Sequence, residues 1–130
     1  MKNLKIGIIG AMNEEVVELT AMIEDRRTRL VAGMTFNEGR IKGRDVVVVE
    51  CGIAKVNAAM CTQILISEFG VGALINTGVA GALHEDLNIN DVVISTDAIQ
   101  YDVDASSLGD PKGTIPRMKT SVFVADSRLI

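Results

Sequence analysis

Glu14 and Glu15 are the residues of this 130-residue sequence with the clearest capacity for chemistry. They follow an apolar run and a small turn, Gly10-Ala-Met12, in the order KIGIIGAMNEEV. A carboxylate placed where a strand hands over to a helix can act as a general base toward a water or a sugar hydroxyl. The same two groups can instead complement the positive end of the helix dipole and face solvent. Residue spacing alone does not choose between Glu14 and Glu15. A second small-residue turn, Thr77-Gly-Val-Ala-Gly81, lies within the run INTGVAGAL. Its glycines serve either a tight strand-to-helix turn or a surface where bare backbone amides meet a flat ligand.

The other reactive residue types read more plainly. Met12 and Met60 have the adaptable shape of core fillers. His84 is the single histidine, which argues against a metal site, and no cofactor is expected. Cys51 has no nearby histidine and reads as a small buried residue rather than a nucleophile. Asp102 and Asp104 read as solvated loop carboxylates. Gly7-Ile-Ile-Gly10 fails the dinucleotide-binding fingerprint, because Ile8 and Ile9 fill the first gap and Asn13 stands where the third glycine belongs. No phosphate-cradling G-x-x-x-x-G-K-[ST] occurs.

These residues need elements to position them. Leu4–Gly10 is a short apolar run of the kind buried on both faces of a sheet. Asn13 is placed to cap a helix whose inner face is Val16, Leu19 and Ile23. Arg29–Thr35 and Phe36–Ile41 read as a strand pair bent at Gly33 and Gly39, and Asp45–Glu50 as another buried strand. A helix from about Lys55 to Phe69 follows, with Val56, Ala59, Met60 and Ile64 inward and Gly70 as its stop. Ala73–Asn76, Val92–Ser95 and Ser121–Ala125 read as strands and Asn88-Ile-Asn-Asp91 as a turn. Tyr101 to Arg117 reads as a long loop, and Asp126 as a cap of a further helix. The class is α/β: a mixed, partly parallel sheet flanked by helices. Ligands gather at the carboxyl ends of such strands, where Gly10-Ala-Met12, Cys51-Gly-Ile53 and Thr77–Gly81 converge.

Bulk properties exclude several classes. The net charge of −4 and the lack of a basic patch exclude nucleic acid as a partner. Asp25-Arg-Arg-Thr-Arg29 reads as a solvated helix end. No run approaches the ~18 apolar residues of a membrane helix, and Lys2 and Lys5 precede a first strand rather than a signal peptide. Two cysteines form no disulfide framework, which fits free thiols in the cytoplasm. With 48% hydrophobic residues but only three Phe, one Tyr and no Trp, the core must be aliphatic. The apolar runs Val47–Val49 and Ala73–Ile75 call for cover on both faces, and a homodimer is expected to supply part of it.

In order along the chain, IGIIGAMNEEV, CGIAKVNAA, INTGVAGAL, NDVVIS and YDVDASSLG resemble the 5′-methylthioadenosine/S-adenosylhomocysteine nucleosidases of the purine nucleoside phosphorylase-like superfamily. The resemblance implies hydrolysis of an N-glycosidic bond with release of adenine, and a small-molecule nucleoside as substrate. It implies that Glu15 activates water, that Met12 and Ile53 line the site, and that Val79, Ala80 and Gly81 form the turn beside the nucleoside. Ala105 and Leu108 match positions contributed to a neighbouring subunit's site. Val79 replaces a common serine, Leu108 an aromatic and Tyr101 a histidine, departures that bear on specificity rather than reaction type. The pattern's acid aspartate and its Met-Glu pair for the ribose hydroxyls fall beyond Ile130. Residues 1–130 are therefore expected to be the amino-terminal part of a single nucleosidase domain, inactive alone. A phosphorylase or futalosine-type hydrolase of the same superfamily, or a non-catalytic nucleoside-binding or dimerising fragment, are the alternatives.

Overall fold

A computed structural model of the chain describes residues 4–118 and 120–130; Lys2 lies outside them. They form two compact units, one ending at Gly81 and one running from Ala82 to Ile130. The first contains β1 (Ile6–Gly10), α1 (Asn13–Ala21), β2 (Glu24–Val31), β3 (Met34–Ile41), β4 (Arg44–Glu50), α2 (Lys55–Phe69) and β5 (Ala73–Asn76). The sheet order is β2-β3-β4-β1-β5. β1 runs parallel to both β4 and β5, while β2, β3 and β4 are joined antiparallel. The sheet is thus mixed and partly parallel, with helices flanking it.

Period-two alternation sorts the side chains of β4 and β1 between the two helices. Val47, Val49 and Ile9 join Phe36, Cys61, Leu65 and Phe69 in one cluster, which includes the inner face of α2. Val46, Val48, Ile6 and Ile8 pack with Val16, Leu19 and Ile23 on the other face, under α1. Gly7 is explained here without a cofactor, since a Cβ on it would stand 2.9 Å from Leu74 and 3.0 Å from Leu65. Phe36 and Phe69 stack at 4.8 Å between ring centroids, and the Arg29 guanidinium lies over the outer Phe69 ring.

Several expectations need correction. The Asp25–Arg29 cluster belongs to edge strand β2, not to a helix end. Its charges keep an otherwise open sheet edge from pairing with other chains. The hairpin turn sits at Ala32-Gly33, both at positive φ, as a two-residue turn of type I′ requires. Gly39 is not a bend: it lies inside β3, where the bulged β2 crosses so closely that a Cβ would strike the Glu24 carbonyl and Ile23. Asn13 is the first helical residue of α1, and Met12 holds the cap position.

On α2 the inward residues are Cys61, Leu65 and Phe69, with Ala58 and Ile64 partly buried. Val56, Ala59 and Met60 face outward, so Met60 is not a core filler. Val47–Val49 are completely covered within the unit, whereas Ile75 of β5 is 40% exposed. Among the described residues no helix is long and apolar enough to cross a membrane.

The second unit contains β6 (Asp97–Ile99), paired antiparallel with β7 (Val122–Val124), and a short 3-10 turn at Ser106–Leu108. Val92–Ser95 is not a strand; Val92, Val93 and Ile94 are exposed and no strand among the described residues pairs with them. The turn at Asn88 is present, closed by the Asn88 N–H donating to Asp91 at 2.8 Å. Asp126 accepts from the Arg128 N–H and guanidinium, which holds its carboxyl down at about 2, but caps no helix among the described residues.

Ala54, the residue before α2, is held at φ 90° and ψ 155°, a conformation suited to glycine. Such strain costs about 1–3 kcal/mol, and glycine's greater unfolded freedom offsets roughly 0.5–1 kcal/mol of any relief. Ala54→Gly is therefore expected to stabilise the protein by about 1 kcal/mol in urea unfolding. An unchanged or lowered midpoint would contradict this.

Candidate active site

The parallel strands β4, β1 and β5 end side by side, and backbone bonds tie their exit turns together. The Cys51 N–H donates to the Gly10 carbonyl at 2.9 Å, and the Thr77 N–H donates to the Ile9 carbonyl at 2.9 Å. Gly10-Ala-Met12, Cys51-Gly-Ile53 and Thr77–Gly81 therefore converge at the carboxyl end of the sheet.

Glu15 reaches back from the first turn of α1 into this cluster. Its Oε2 accepts the Ala11 N–H at 2.7 Å and the Met12 N–H at 3.0 Å. Its Oε1 accepts the Val79 N–H at 3.0 Å, across 64 residues of sequence. The two glutamates left open by spacing are thus distinguished: Glu15 is half-buried against the turns, and Glu14 is exposed. The three amide bonds, led by that from Val79, hold the Glu15 carboxyl below its ordinary value of 4.5. A carboxylate has about four lone-pair positions. Three are used here, which leaves room to accept from a water on the open side.

The remaining expected residues fall into two groups. Met12 lends its amide to Glu15 and is partly exposed, and Ile53 sits exposed in the turn after β4. Val79, Ala80 and Gly81 are exposed beyond Gly78. Because Val79 binds Glu15 through its backbone, valine in place of serine leaves that bond intact. Ala105 and Leu108 belong to the second unit, where Ala105 is buried and Leu108 exposed. Asp104 accepts the Ser106 hydroxyl at 2.7 Å and its N–H at 3.1 Å, which lowers its pKa and fixes the loop locally.

Cys51 is buried beside the site as expected of a small core residue. Burial first, then the Glu15 and Glu50 charges, push its thiol up, the opposite of an activated nucleophile. Cys61, deeper in the same cluster, is pushed up to about 12 by burial. Among the described residues no group of three or more His, Cys, Asp or Glu could hold a metal.

Two features were missed in the sequence reading. Gly78 lies against the Glu15 carboxylate, a contact that no local signal announces. A charged depression of about 690 Å³, lined by Lys5, Arg26, Glu38, Arg40 and Asp45, opens where β1 and β4 begin, away from their exit turns. Its central contact is the Lys5–Glu38 ion pair at 2.6 Å.

This fold, with a carboxylate suspended between strand-end turns, defines the class. The chain belongs to the phosphorylase superfamily, whose model matches residues 5–130. Within it, the chain is 44% identical over 127 residues to a 5′-methylthioadenosine/S-adenosylhomocysteine nucleosidase of a Geobacillus species, covering 98% of this chain and 54% of that protein. The adenine complex of the Colwellia psychrerythraea nucleosidase superposes with a TM-score of 0.94 at 39% identity, covering 98% of this chain and 52% of that one. A futalosine hydrolase mutant of Helicobacter pylori superposes with a TM-score of 0.90 at 34% identity, covering 97% and 55%. The chain thus spans about half the length of the relatives it matches.

Because its native pKa is depressed, ionised Glu15 contributes stability that is present above pH 4.5 and lost as pH falls through the lower native value. The unfolding midpoint of the wild type should exceed that of Glu15→Gln at pH 6, with the gap closing toward pH 3. A gap that stays constant with pH would contradict the arrangement.

Proposed function

We propose that the protein hydrolyses the N-glycosidic bond of 5′-methylthioadenosine and S-adenosylhomocysteine and releases adenine, with Glu15 polarising the attacking water. The observation that carries this reading is the Glu15 carboxylate, bound by amides of two strand-end turns. The likeness to nucleosidases across 98% of the chain supports the substrate class.

The chemistry follows from charge. As the bond from the anomeric carbon to adenine lengthens, positive charge develops on the ribose. Water attacks that carbon, its proton passes to Glu15, and adenine leaves after gaining a proton of its own. A carboxylate with a depressed pKa is ionised throughout the neutral range, so it orients water before the reaction. It takes the proton only as the new C–O bond makes that water acidic. Met12 and Ile53 would line the apolar wall, and Val79, Ala80 and Gly81 the turn beside the nucleoside. By the family resemblance, the group that protonates adenine and the pair that holds the ribose hydroxyls belong to the half of the relatives that this chain does not span.

The test is adenine release by this chain joined to the half of its relatives that it does not span. Glu15→Gln should reduce kcat by about 10²–10⁴-fold, the usual contribution of a general base, with little change in KM. An undiminished kcat would overturn the role. The 130-residue chain alone should release no adenine. The likeness to futalosine hydrolase favours one second reading: preferential turnover of futalosine would replace the assignment, and a requirement for phosphate would favour a phosphorylase.

The working form in this reading is a cytoplasmic homodimer, in which Ala105 and Leu108 lie toward a neighbouring subunit's site. Two free cysteines agree with that compartment. Exposed Ile53, Val56 and Met60 offer apolar surface to a second copy. Light scattering at micromolar concentration should give twice the chain mass; a monomer would contradict it.

A further inference from the structure

We propose that Gly78 is a positioning residue for Glu15: its bare Cα is the space in which the carboxylate sits when it binds the Val79 amide. The inference rests on the reading of Glu15 as the water-polarising group, and it adds the residue that sets where that group stands.

The geometry is specific. A Cβ built on Gly78 would stand 2.8 Å from Glu15 Cδ and 3.1 Å from Oε2, and closer still to Oε1. These distances lie inside contact range, so an alanine and the observed carboxylate position exclude each other. All three nearest atoms belong to the Glu15 side chain, with no backbone or core atom among them. The backbone at Gly78 also lies outside the left-handed region. Glycine is therefore not required there for its conformational freedom, only for its missing side chain.

The neighbouring glycine of the first turn behaves differently. A Cβ on Gly10 would lie 2.5 Å from Val16 Cγ1 and 3.1 Å from Glu15 Cβ. Val16 is a buried member of the cluster beneath α1. Substitution at Gly10 thus disturbs the core, whereas the three closest contacts of a side chain at Gly78 are all with the far end of the Glu15 side chain. That tip can swing away without disturbing the core, and what the fold loses is its bond to the Val79 amide. When it does, Oε1 leaves the Val79 amide, while Oε2 has two donors on its own turn to keep it there. The carboxylate then belongs to one turn instead of spanning two, and the polarised water moves with it.

The experiment follows the Glu15 carboxyl carbon by NMR as pH is lowered, in wild type and Gly78→Ala, without nucleoside. In the variant the midpoint should rise toward 4.5, the ordinary value, because one of the three amide donors that favour the ionised carboxylate is gone. A midpoint equal to that of wild type overturns the proposal. A stability cycle provides the second readout. Gly78→Ala should shift the urea midpoint in the wild-type background and leave it nearly unchanged in Glu15→Ala, where the three closest contacts are gone. Equal destabilisation in both backgrounds overturns the positioning role in favour of a purely structural one. If Gly78→Ala alone fails to fold, recovery of folding in the double variant supports the proposal and continued failure overturns it. Both readouts are independent of turnover: loss of the hydrolase reading would leave them intact, and their failure would leave Glu15 a candidate base.

Discussion

The candidate site depends on one carboxylate shared between two loops. Glu15 joins the turn after β1 to the turn after β5, residues that have no reason to meet except that their strands are parallel neighbours. Hydrogen bonds from amides to an ionised acceptor are stronger than neutral ones. Three of them orient the group from one side and leave the other side to solvent. The same contacts that lower its pKa also fix its direction, so electrostatics and geometry are one feature.

The sheet supplies the frame for that contact. β4 places Val46 and Val48 under α1 and Val47 and Val49 under α2, so both helices are seated by a single run of valines. With α1 pinned through Val16, its first turn and Glu15 are held near the exit of β1. The antiparallel hairpins of β2 and β3 extend the sheet on the far side of β4 and carry their charges to its edge. Thiol chemistry is suppressed beside the site by burial and by nearby carboxylates.

The parallel strands were legible because DVVVVE and IGIIG are apolar without interruption, the mark of a strand covered on both faces. The strand-end turns were legible from their glycines, and the resemblance pointed to Glu15. The inner face of α2 was misread because that helix is apolar nearly all round, so periodicity offered Val56 and Met60 as readily as Leu65 and Phe69. β2 was partly missed because a charged edge strand carries no hydrophobic alternation. Val92–Ile94 has strand composition, yet a strand needs a partner's hydrogen bonds and none pairs with it among the described residues. The Gly78–Glu15 contact lay beyond any sequence pattern, since it joins residues whose proximity only the sheet order creates.

The most direct test of the account is the pH dependence of the backbone amide protons of Ala11, Met12 and Val79, followed together by NMR. If one carboxylate binds all three, they should shift with a single shared midpoint below 4.5, and all three responses should vanish in Glu15→Gln. A Val79 amide that ignores this titration, or follows a different midpoint, would mean that the two turns are not bridged, contradicting the account.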